Sequence, residues 1–214
     1  MRTKILALTV VCLGITVNLP VTTCGAQEKK TGQISADERA KAIKLLKDSL
    51  AETLDALEKL SDAQLKFKSA PDRWSVLECA EHIMLSETLL FDAVKRAADT
   101  KPNPDWEAKT KGKTEFLEKV MVDRKGKAQA PETIVPSGKL SREQVIQKLK
   151  EARATTLKFA EQTQVPLKEH TFDHPSPVFG TLNAYQWLIY IPLHNVRHNL
   201  QIAEVKADAN FPKK

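Results

Sequence analysis

The apolar residues divide the chain into four amphipathic stretches joined by polar or proline-bearing connections. In the first stretch Ile43, Leu46, Leu50, Leu54 and Leu57 recur every three or four residues, so a helix gathers them into one stripe. Just ahead, Ser35-Ala36-Asp37-Glu38 has the serine–glutamate spacing in which each side chain satisfies the other's backbone N–H at a helix start. A second box, Ser75 to Glu78, opens a helix expected to reach about Thr100. A third, Ser141 to Gln144, opens one ending near Gln164. The fourth helix is expected to start after Gly180, with Thr181 as its cap, and to run to about Lys206. Pro192 lies inside it and has no N–H for the carbonyl of Leu188, so a bend is expected there.

Between the second and third helices, residues 101–140 carry Pro102, Pro104, Pro131 and Pro136 and one short amphipathic piece around Glu115 to Met121. Four long helices with one long crossover between the second and third describe an all-α four-helix bundle. Only seven glycines occur in 214 residues, which favours helices over glycine-turned hairpins. No internal repeat or sustained heptad seam is present.

The length suits one domain, and 42% hydrophobic with 28% charged residues is a globular composition. The first 26 residues have the layout of a secretory signal peptide: Arg2 and Lys4, an apolar run, then small residues up to Ala26. The expected organisation is a signal peptide over 1–26, a polar spacer over 27–34 and the bundle over 35–211. Export to the periplasm or the extracellular space follows, with no stable membrane insertion after processing. A lipoprotein anchored at Cys24 is the rival, which Thr23 fits poorly. Loss of Arg2 and Lys4 lowers the formal charge from +6 to +4. The remaining lysines are scattered through amphipathic segments, which argues against a nucleic-acid partner. With Cys12 and Cys24 in the leader, Cys79 is alone in the mature chain and no internal disulfide can form.

The candidate chemistry is histidine chemistry. His194 and His198 stand one helical turn apart, so both imidazoles leave one face of the fourth helix. His82, on the second helix, shares its face with Cys79, Leu85, Ser86 and Leu89 and points toward the core. Packed helices lie roughly 8–10 Å apart, so three imidazoles can meet across that gap at the ~2.0–2.1 Å bond length of zinc. Spacing alone leaves two readings open, a metal site and ordinary packed histidines.

The segments Arg73 to Ile83 (RWSVLECAEHI), His174 to Leu188 (HPSPVFGTLNAYQWL) and His194 to Lys213 (HNVRHNLQIAEVKADANFPK) resemble the DinB-like superfamily. The resemblance extends from about Ser35 to Phe211. It implies a four-helix bundle with a metal-binding histidine triad, one residue from the second helix and two from the last, matching His82, His194 and His198 one for one. Some members transfer low-molecular-weight thiols or isomerise with a thiol cofactor, and many have no assigned activity.

Three neutral imidazoles would leave a tetrahedral divalent ion one position for water or substrate, the geometry of catalytic rather than structural sites. Zinc is the first expectation and nickel the second. A metal-dependent hydrolase or thiol transferase acting on a small molecule follows, with export weighing against thiol chemistry because such cofactors are kept reduced in the cytosol. The alternatives are a non-catalytic metal-binding or stress-associated protein, and a structural bundle that forms homodimers. Candidates to support the metal are Gln201, one turn beyond His198; Glu78, already engaged by its capping box; Asp173 and His174 in the loop before the fourth helix; and Cys79, as a fourth ligand. His174 is expected to brace its loop, His170 to be a plain surface residue, and Trp74 to pack beside its cap.

Overall fold

The computed structural model describes residues 32–125 and 129–213; the expected signal peptide lies outside them. Four long helices form the body: α1 (Ala36–Lys59), α3 (Val76–Ala98), α6 (Arg142–Gln162) and α7 (Ala184–Lys206). Short helices α2 (Asp62–Lys66), α4 (Trp106–Thr110) and α5 (Lys113–Val122) fill the connections, with one turn of 3-10 helix at Glu132–Ile134. In cyclic order α7 packs on α3, α3 on α6, α6 on α1 and α1 on α7, while α5 lies along α7. The architecture is an all-α four-helix bundle, and its crossover between the second and third long helices carries α4 and α5. No described helix is long and apolar enough to cross a membrane.

The helix starts follow from their side chains. Ser35 accepts from the Glu38 N–H at 3.1 Å while Glu38 accepts from the Ser35 N–H at 2.7 Å. Ser75/Glu78 and Ser141/Gln144 repeat the exchange at α3 and α6. At α7 the expected cap is displaced. Thr181 belongs to a strand, β2 (Thr181–Asn183), paired antiparallel with β1 (Thr171–Asp173). Asn183 is the cap, exchanging hydrogen bonds with Gln186. The hairpin holds residues 181–183 extended, and Lys113 Nζ donates to the carbonyls of Phe179 and Thr181 at 2.8 and 2.7 Å. Gly180, at φ +57°, makes the turn before β2 in a conformation that side-chain-bearing residues rarely adopt.

The core is two apolar clusters. One contains Leu46, Leu90, Val94, Leu117, Met121, Trp187, Leu188 and Ile191, the other Leu57, Leu65, Val76, Ile83, Val145, Leu149 and Ile202. Along every long helix the change from one cluster to the other falls at buried polar residues: Ser49 and Thr53 on α1, Glu87 on α3, Arg153 and Thr156 on α6, Asn195 and Asn199 on α7. Arg153 joins all four helices. Its Nε and Nη2 donate to the Glu87 carboxylate at 2.8 and 2.7 Å, Nη2 also to Asn195 Oδ1 at 2.8 Å, and Nη1 to Ser49 Oγ and the Leu46 carbonyl. Asn195 in turn donates to Thr53, Thr53 to Asn199, and Asn199 to the Ser49 carbonyl. The two charges of this layer, Arg153 and Glu87, are therefore both paired and hydrogen-bonded, the condition under which burial is tolerated.

Candidate metal centre

His82 comes from the second turn of α3, and His194 and His198 from successive turns of α7, beside the polar layer. One nitrogen from each ring lies within 4.8 Å of the other two. The ring centroids are 4.4 Å (His82–His198), 4.5 Å (His194–His198) and 5.1 Å (His82–His194) apart. His82 and His198 are buried and His194 is half-buried, so the cluster meets solvent on the His194 side.

Two rings are held in one orientation. His82 Nδ1 lies 2.7 Å from the carbonyl oxygen of Ile134. A carbonyl can only accept, so Nδ1 carries the hydrogen and the neutral ring leaves its Nε2 lone pair to the cluster. His198 Nδ1 donates in the same way to Gln201 Oε1 at 2.8 Å. The buried Ser86 hydroxyl stands 3.4 Å from His82 Nε2. Hydrogen bonding of the second ring nitrogen is what fixes ligand orientation in protein metal sites.

The rings are also kept neutral. Burial pushes the His82 imidazole below its ordinary range. Burial, reinforced by His82 and by the guanidinium groups of Arg124 and Arg197, pushes His198 down to about 3. His194 is driven well down by desolvation and then by His198, His82 and Arg197. The charged side chains named in these shifts, Arg124 and Arg197, are positive. Neutral imidazoles with no carboxylate in the group are a donor set suited to a divalent metal ion.

Rotation of α7 at this level is set by the polar layer, because Asn195 and Asn199 each follow a triad histidine by one residue and are bonded into the interior. The crossover is held just as directly. Buried Glu81, beside His82, accepts from the Ser137 N–H (2.9 Å), the Ser137 hydroxyl (2.7 Å) and the Gly138 N–H (3.0 Å). That clamp lies three residues beyond the Ile134 carbonyl that orients His82.

The DinB superfamily matches residues 45–202, a stretch that contains all three histidines. The chain belongs to the DinB superfamily. Like it in sequence is the uncharacterized protein YuaE of Bacillus subtilis (strain 168), 30% identical over 169 residues, 76% of this chain and 95% of YuaE. In structure this DinB protein is similar to YfiT from Bacillus subtilis, described as a probable metal-dependent hydrolase with an unusual four-helix bundle topology. The TM-score is 0.55 at 16% identity, covering 81% of this chain and 89% of YfiT. At that identity the likeness shows the fold.

The other expected site residues are placed as follows. Gln201 supports the triad. Glu78 does not reach it: its carboxylate closes the α3 capping box and pairs with Lys68 at 2.7 Å. Cys79 is buried in the second apolar cluster, with its thiol pushed up to about 12 chiefly by burial, and does not join the three histidines. His174 braces its loop as expected, accepting from the Ser176 N–H at 2.9 Å and stacking on Trp187 and Tyr190. Asp173 accepts from the Thr181 hydroxyl within the hairpin. His170 is not a surface residue; it is buried and bonded through Nδ1 to the Thr100 carbonyl, because the end of α3 folds over it.

Three contributors escape the sequence pattern. Trp74, expected only to pack beside its cap, places its ring 4.7 Å from His82 and 6.1 Å from His198, forming one wall. Tyr190, one turn before His194, stacks on that ring at 6.2 Å and forms another. The Ile134 carbonyl is backbone and leaves no mark in residue type.

Proposed function

We propose that this DinB protein is an exported metal-dependent hydrolase acting on a small molecule, with one divalent ion held by His82, His194 and His198. The observation that carries the proposal is the triad itself, three neutral imidazoles with converging nitrogens, two of them fixed through Nδ1. The description of YfiT as a probable metal-dependent hydrolase supports it. Zinc is the first choice of ion and nickel the second, since imidazole suits both.

When bound, such an ion polarises a carbonyl or phosphoryl oxygen and brings the pKa of water toward ~7. The chain's own residues hold and orient. His82 and His198 present Nε2 because Ile134 and Gln201 occupy Nδ1, and Trp74 and Tyr190 limit the approach with aromatic walls. Gln201 spends its amide oxygen on His198 and has no proton-accepting role. The donor group contains no carboxylate, so nothing in it neutralises an ion's charge.

Export rests on the N-terminal layout of charged, apolar and small residues. It weighs against transfer of a low-molecular-weight thiol, which needs a reducing compartment. A mature N-terminus at Gln27, read by mass spectrometry of protein recovered from the native host, would support it; lipid on Cys24 would replace it with anchoring.

The second reading is a non-catalytic metal-binding protein. The deciding experiment is a screen of the zinc-loaded mature chain against carboxylic esters, amides, lactones and phosphate esters. Turnover that a chelator removes, zinc restores and His194→Ala lacks supports the hydrolase. Full zinc occupancy with no turnover in any class favours the binding protein.

A further inference from the structure

Two arginines adjoin the triad near its half-buried member, His194. Arg197 sits on α7 between the two histidines, three residues after His194 and one before His198. Its Nη1 donates to the carbonyls of Met121, at 3.4 Å, and of Asp123, so the side chain lies over the C-terminal end of α5. Arg124 follows that end and is aligned by Glu204 of α7 through two parallel hydrogen bonds, Nε to Oε1 at 3.0 Å and Nη2 to Oε2 at 2.9 Å. Both arginines are only partly buried; Arg197 follows His194 by one turn on the same surface of α7, and Glu204, which holds Arg124, stands one turn beyond Gln201, the partner of His198. Arg73, exposed beside Trp74, adds its charge to Glu204's surroundings. Against these cations stand Glu204, engaged by Arg124, and Asp123, which accepts from the Lys125 N–H.

We propose that the site takes a small molecule bearing an oxyanion, a carboxylate or a phosphate, with Arg197 and Arg124 as the groups that recognise it beside the triad. The inference rests on the metal-dependent reading above and narrows its substrate class. The physical case is one of charge. Three neutral ligands leave a divalent ion uncompensated, the neighbouring side chains add further positive charge, and the aromatic walls of Trp74 and Tyr190 reduce screening by water. An anionic ligand removes that imbalance, whereas a cationic one adds to it. Guanidinium is also the side chain whose planar donors best match carboxylate and phosphate oxygens.

Cobalt(II) replaces zinc as a visible reporter of the ligands on the ion. The mature chain, loaded with one equivalent of cobalt, is titrated with inorganic phosphate while the d–d absorption is followed, with imidazole as a neutral probe. Wild-type protein is expected to show a saturable phosphate-induced change. Arg197→Met and Arg124→Met should each weaken phosphate roughly tenfold or more, the effect of losing a charged hydrogen bond, and leave imidazole binding unchanged. Glu204→Gln, at a side chain 53% exposed, should tighten phosphate a few-fold by removing the carboxylate that competes for Arg124. Phosphate binding that is absent in the wild type, or unaltered in Arg124→Met and Glu204→Gln while cobalt remains stoichiometric, overturns the anion proposal alone. Failure of the wild type to take up cobalt overturns it together with the metal reading, and the absorption spectrum distinguishes the two failures.

Discussion

Glu81 and His82, neighbours on α3, hold the same stretch of the crossover from two sides: Glu81 accepts three hydrogen bonds from Ser137 and Gly138, and His82 Nδ1 donates to Ile134. The long connection between α3 and α6 is thereby part of the candidate metal centre. Glu81→Gln should lower zinc affinity by roughly 10–100-fold, the usual effect of disturbing a group that orients a ligand. Competition titration with a chromophoric chelator measures it. Native affinity in the variant would show that the clamp only stabilises the loop.

Gln201 tests the same principle on α7. Gln201→Leu removes the acceptor of His198 Nδ1 and should weaken zinc by roughly 10–100-fold, less than loss of a ligand. Gln201→Glu keeps an acceptor and should retain most of the affinity. Equal losses in both would indicate disturbed packing.

The sequence patterns carried the long helices well, because their caps and apolar stripes are local. Ser35, Ser75 and Ser141 cap the helices they were expected to cap. Thr181 did not, because two three-residue strands, too short to show periodicity, pair across a turn and keep it extended. The stripe on α1 was legible only in part: Leu46 and Leu57 are buried, but Ser49 and Thr53 share their face. Such polar residues look like surface positions until the partners Arg153, Asn195 and Asn199, about a hundred residues away or more, supply their hydrogen bonds. His170 was misplaced for the same reason. The triad was legible through resemblance, whereas Trp74, Glu81 and the Ile134 carbonyl depend on how the crossover lies.

The buried ion pair yields a stability prediction. Arg153 and Glu87 are 0% and 1% exposed, so Arg153→Met strands a buried carboxylate and should cost ~3–5 kcal/mol. Adding Glu87→Leu to that variant should recover a large share. Urea unfolding of the wild type, the single variant and the double variant checks both. A single variant within about 1 kcal/mol of wild type would mean that Glu87 reaches water.

Metal-free protein should lose stability on acidification through its histidines. In the unfolded chain imidazole titrates near 6.5, while His198 is held down at about 3 and His82 and His194 are lowered too. Folded pKa values below the unfolded ones mean that the unfolded state binds more protons. The contribution of these groups is thus complete above about pH 6.5 and is lost as pH falls from there toward 3. Thermal unfolding between pH 7.5 and 4 should show a falling Tm, flattened in a His198→Gln variant. An unchanged slope in that variant would place the pH dependence elsewhere.

The measurement that bears most directly on the account is isothermal titration of the metal-free mature chain with zinc, for the wild type, for His82→Ala, His194→Ala and His198→Ala, and for His170→Ala as a buried histidine outside the cluster. The account predicts one equivalent of zinc bound by the wild type and by His170→Ala, the latter with lower thermal stability only. Each triad variant should bind at least ~100-fold more weakly, since a two-nitrogen site forfeits the geometry zinc requires. Zinc binding of equal strength in all five proteins, or none in the wild type, would contradict it.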